Sequence, residues 1–168
     1  MRRTLSLTAI ILTALLLQST VFAQVTLGGA KPELVYLVTI ILAFLEGPTS
    51  GAATGFAGGM AQDFLLDLHK GITALTLTLV GYVVGTARQY IVTPSPLLPV
   101  ALVGVATAGG VVFYEMVSLL LGQLPYEPIH LLRVALLSAL YNAVLTPFVF
   151  PVIRRVAEAT RTNKVFRW

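Results

Sequence analysis

Apolar residues run through this chain in long blocks, broken at a few places by glycine, proline and clustered charge. Four stretches, Thr4 to Ala23, Gly71 to Ala87, Gln89 to Tyr114 and Val134 to Ile153, contain no charged side chain. A helix rising about 1.5 Å per residue needs roughly 20 mostly apolar residues to cross the hydrocarbon core of a bilayer. Breaker residues divide the chain into six predicted spans. The first, 4–23, is closed by the polar stretch Gln24 to Glu33, with Gly28-Gly29 and Pro32. The second, 34–45, ends at Glu46-Gly47-Pro48, and the glycine-rich third, 50–68, ends at His69-Lys70-Gly71. The fourth, 72–92, is stopped by Pro94, Pro96 and Pro99, and the fifth, 97–121, by Gly122 and Pro125. The sixth, 129–153, carries Pro147 and Pro151 in its last third, where a kink is expected. The second span would reach only about 18 Å. It is therefore expected to be shielded by its neighbours, to extend into its flanks, or to be re-entrant.

Composition gives the same solvent. A chain of 168 residues that is 57% hydrophobic and 11% charged has more apolar surface than one water-soluble core can hide. The predicted fold class is an all-α integral membrane protein, one compact bundle of six transmembrane helices with a short basic cytoplasmic tail, 154–168. Little sequence remains for a soluble module. The formal net charge of +4 does not point to nucleic acid, because the cations flank membrane segments and lack an interleaved aromatic surface. They report topology instead, since short loops rich in Lys and Arg stay in the cytoplasm. With both termini inside, eight cations (Arg2, Arg3, Arg88, Arg154, Arg155, Arg161, Lys164, Arg167) face the cytoplasm and three (Lys31, Lys70, Arg133) face outward. The N-terminus also imitates a cleavable signal peptide, with Arg2-Arg3, an apolar run and Val21-Phe22-Ala23 before Gln24. The length of Thr4–Ala23 favours retention as a span. The chain has no cysteine, which excludes disulfides, thiolate catalysis and iron–sulfur clusters.

Two groups of residues stand out as candidate sites. Gly51, Gly55 and Gly59 recur every fourth residue and Gly81 and Gly85 form a shorter stripe, so two helices could approach closely there. Packing within the bundle and a contact with a partner's helix are both open. A phosphate loop is not, because no strand precedes these glycines and no Gly-Lys-Ser/Thr follows. The second group is Asp63, Glu115 and Arg133, placed at similar depth in the outer third of the predicted bundle, with Asp67 on the Asp63 face one turn nearer the surface. Charge in hydrocarbon is expensive, so Arg133 is expected to pair with Asp63 or Glu115. The group could be a structural clamp, a proton or ligand site, or a contact to a partner's helix. His69 and His130 lie at loop edges without a ligand framework for zinc. No metal, cofactor, catalytic nucleophile or internal repeat is expected. On the inner side Glu46 and Arg88 are positioned to pair. The tail, ending Phe166-Arg167-Trp168, has the cations and aromatics of a lipid anchor.

From about Leu17 to Arg155 the chain resembles the MreD family of the bacterial rod-shape system. The resemblance is carried by Lys31-Pro32-Glu33-Leu34, by Glu46-Gly47-Pro48 with Gly55-Phe56 and Gly59, and by Asp63 with Leu66-Asp67. Leu79-Val80-Gly81-Tyr82 and Tyr141-Asn142 ahead of Pro147 complete it. None of these is a catalytic signature. The resemblance implies a non-enzymatic inner-membrane scaffold of cell elongation and peptidoglycan synthesis that binds the bitopic protein MreC. Filament-forming MreB, the glycosyltransferase RodA and its transpeptidase would belong to the same machine. It also implies a fold similar to the six-helix substrate-binding subunits of energy-coupling-factor vitamin transporters, and hence a rival function in small-molecule uptake. Those subunits resemble one another in an Ala-x-x-x-Ala face on the first helix. Ala9, Ala14 and Ala23 do not have that spacing. A third class, an intramembrane enzyme, lacks a nucleophile–base pair.

Overall fold

The computed structural model describes residues 2–20, 32–65, 71–91, 97–122 and 128–160, which form six α-helices. These are α1 (Arg2–Thr20), α2 (Leu34–Glu46), α3 (Pro48–Leu65), α4 (Ile72–Ala87), α5 (Leu98–Leu120) and α6 (Pro128–Thr160). One 3₁₀ turn, Arg88–Tyr90, prolongs α4. The order and number of helices match the six predicted segments. Several ends differ, and two of them bear on the fold. α3 begins at Pro48, two residues early, because proline suits the first helical turn. α6 runs on to Thr160 instead of stopping at Ile153, so the first part of the basic tail is helical. Pro147 and Pro151 lie inside α6 and do not end it. Their separation of one turn puts both on the same exposed side of the helix. Gln24, Asp67, His69 and the last eight residues fall outside the described residues.

The short second span is at the centre. Ten consecutive residues of α2, Leu34 to Ala43, are buried, and all five other helices pack against it. Of the three possibilities for so short an element, shielding by neighbours is the one observed. A helix enclosed on every side needs no polar face, which is why this segment is apolar all round. Leu37, Ile40 and Leu42 of α2 and Leu77 of α4 are completely inaccessible. Between α2 and α3 the chain reverses at one residue, Gly47, whose φ of +98° is in the region that favours glycine.

The outside of the molecule is apolar as well. Leu16 on α1, Phe56 and Phe64 on α3, Val83 on α4 and Val105 and Met116 on α5 are exposed. On α6 a continuous ridge of Leu132, Leu136, Leu140, Val144, Phe148 and Val152 repeats at every fourth position. Contiguous apolar surface of this extent is unfavourable in water and ordinary in lipid. Two helices, Leu98–Leu120 and Ile129–Ala159, are long and apolar enough by themselves to cross a membrane.

Candidate functional site

The glycine stripes meet each other. A Cβ added to Gly51 would lie 2.5 Å from the carbonyl oxygen of Gly81, and one on Gly59 would lie 2.5 Å from the Cα of Ala74. Between them Gly55 abuts the backbone of Leu77, and at the other end Gly85 abuts Pro48. Side-chain-free positions thus bring α3 and α4 into backbone contact along most of their length, and theirs is the most extensive pairing in the fold. Both stripes are thus occupied within the chain.

Asp63 sits near the C-terminal end of α3, 1% exposed. Its Oδ2 accepts hydrogen bonds from the backbone N–H of Gly71 at 2.9 Å and of Ala74 at 3.2 Å. Gly71 and Ala74 are the N-cap and third residues of α4, so a carboxylate from one helix caps the N-terminus of the next. Free N–H groups and the positive end of the helix dipole stabilise an anion there. This overturns the pairing expected from matched depth. Asp63 turns inward to α4, while Arg133 is exposed on α6, and no ion pair joins Arg133 to Asp63 or Glu115. A helix terminus can neutralise a buried carboxylate as an arginine can, and it was already adjacent in the hairpin. Asp63→Ala should therefore destabilise by about 1–2 kcal/mol, as loss of an N-cap does. Asp63→Asn and Arg133→Gln should be additive in a double-mutant cycle of thermal stability. A coupling above about 0.5 kcal/mol would restore the ion pair.

A second joint links the start of α2 to α6. Asn142, fully buried, uses both halves of its amide on the backbone of Glu33: its Oδ1 accepts from the Glu33 N–H at 3.3 Å, and its Nδ2 donates to the Glu33 carbonyl at 3.2 Å. Nδ2 also donates to Thr107 Oγ1 of α5 at 3.2 Å. One side chain thus fixes where three helices meet. Tyr141-Asn142 and Pro32-Glu33 carried the family resemblance, but nothing in the sequence alone connected them across 109 positions.

Glu33 and Glu115 also line a cavity of about 160 Å³ where the starts of α2, α4 and α6 meet the C-terminal parts of α3 and α5. Tyr36, Gln62, Thr73 and Tyr114 contribute its other polar walls. Burial pushes the Glu33 carboxyl up to about 7. Of this cavity the sequence offered Glu115 as a candidate site residue and Glu33 only as part of the family resemblance. The other members are polar residues at helix ends, which read as interfacial until the helices are assembled.

At the opposite end of the bundle Arg88 donates to the Leu45 carbonyl at 2.7 Å and stacks over Phe44, with 5.9 Å to the ring centroid. Arg154 pairs with Glu158 at 2.7 Å along the exposed face of α6. Such an exposed pair adds little to stability.

This is an all-helical protein whose outer surface suits lipid and whose buried polar groups join helices to one another. A family model described as rod shape-determining protein MreD matches residues 1–156, nearly the whole chain, and the chain belongs to that family. Its members are shape-determining proteins of the inner membrane and are not known as enzymes. No curated protein and no solved structure matches significantly.

Proposed function

We propose that this protein is a non-enzymatic scaffold of the cell-elongation complex, a bundle of six transmembrane helices with both termini in the cytoplasm, and that it binds MreC. The family match over residues 1–156 carries the reading. The excess of eight inner cations over three outer ones supports the orientation. The exposed ridge on α6 from Leu132 to Val152 is long enough, at about 1.5 Å per residue, to lie along a single membrane helix of a bitopic partner. MreB, RodA and its transpeptidase belong to the same proposed assembly, held there through MreC or directly. Peptidoglycan polymerisation itself would stay with the synthase.

Co-expression with MreC should yield a complex that survives detergent extraction, and Leu136→Trp with Leu140→Trp on the ridge should weaken it at least tenfold while leaving the melting temperature of the isolated protein unchanged. Depletion in a rod-shaped host should round the cells. Copurification with an ATPase module together with submicromolar vitamin binding would replace the scaffold by an uptake subunit.

A further inference from the structure

We propose that the cavity where the starts of α2, α4 and α6 meet the C-terminal parts of α3 and α5 is a binding site for an organic cation carrying a primary ammonium group. Its walls hold two carboxyl groups, Glu33 ahead of α2 and Glu115 on α5, and Arg133 is turned away from it. Beside the carboxyls are two acceptors with no hydrogen-bond partner in the protein, Gln62 Oε1 on α3 and Thr73 Oγ1 on α4. Their residues are only 5% and 3% exposed. Buried polar groups are normally satisfied, and leaving one unsatisfied costs about 1–3 kcal/mol. The two orphans line the same cavity as the carboxyls, although they come from different helices.

The chemistry of the walls selects the ligand. Carboxylates repel anions and attract cations. His130 at the head of α6 acts electrostatically on Glu115. Among the described residues no Lys or Arg lines this cavity. A metal ion fits poorly, since no group of three acidic or histidine side chains among the described residues could hold one. An ammonium has three N–H donors and no acceptor, which matches a wall of acceptors. The rings of Tyr36 and Tyr114 add faces that attract a cation, and Val111 and Val134 supply the apolar contact that a short carbon chain needs. The space, about 160 Å³, is enough for a ligand as small as ethanolamine. The ammonium could come from a free small amine or from the ethanolamine headgroup of a phospholipid.

The test uses the purified, delipidated protein alone in detergent, so its outcome is independent of MreC binding and of the scaffold reading. Ethanolamine should give a saturation-transfer NMR signal and raise the melting temperature, and ethylene glycol, its neutral counterpart in size, should do neither. The double variant Glu33→Gln, Glu115→Gln should bind ethanolamine at least tenfold more weakly. If phosphatidylethanolamine in mixed micelles displaces the ethanolamine signal and phosphatidylglycerol does not, the site takes the lipid headgroup. If neither displaces it, the site takes the free amine. Absence of any ethanolamine signal with the wild-type protein, or an equal response to ethylene glycol, overturns the proposal whether or not the double variant folds.

Discussion

Gly55→Leu will destabilise the protein by at least about 3 kcal/mol, the upper end of what overpacking costs, whereas Gly109→Ala will be neutral or slightly stabilising. The difference lies in what the new side chain meets. At Gly55 even a Cβ would collide with the carbonyl group of Leu77, and backbone cannot swing aside as a flexible side chain can. The helices must separate, and with them the neighbouring contacts of Gly51 and Gly59. At Gly109 a Cβ meets nothing within 4 Å, so the gain in helix propensity of up to about 1 kcal/mol is unopposed. Thermal melting of the two variants in one detergent checks both halves. Any loss of complex formation by Gly55→Leu should track its loss of fold, because α3 meets α4 through this residue. Normal melting of Gly55→Leu would mean that the stripe does not lie against α4.

Asn142→Ala will cost about 2–5 kcal/mol, the sum expected when a buried amide leaves two or three groups unsatisfied. The Glu33 N–H loses the partner described here, and Thr107 Oγ1 loses its donor. The Glu33 carbonyl is less affected, since it also accepts from the Leu37 N–H at 3.1 Å. Asn142→Asp, almost the same in shape, should be at least as damaging. It retains the acceptor for the N–H but presents oxygen to the Glu33 carbonyl oxygen and puts a charge in a fully buried place. Thr107→Val should lose only about 1 kcal/mol, because it removes one bond of the set. Equal stability of Asn142→Asp and wild type would show that the donor half of the amide is unimportant.

The sequence by itself determined that the chain is helical, where its six apolar segments lie, and which family it belongs to. These follow from local properties: the length of each charge-free run, the glycines and prolines between runs, and the order of short motifs. It also placed Gly51, Gly55, Gly59, Gly81 and Gly85 on helix faces suited to close approach. Which surface those faces would meet was a matter of tertiary structure. Spacing defines a stripe on one helix but carries no information about the element opposite, and α4 follows α3 closely enough to fill it. The same limit explains Asp63. Depth in a bilayer can be read along a sequence, whereas direction around a helix bundle cannot, so Arg133 at matching depth was expected as partner and the N-terminus of α4 was found. Asn142 and the cavity of Glu33, Gln62, Thr73 and Glu115 were less legible still. Each is a polar residue with an ordinary local setting, and they gain significance only where packing removes water and brings together helices far apart in sequence.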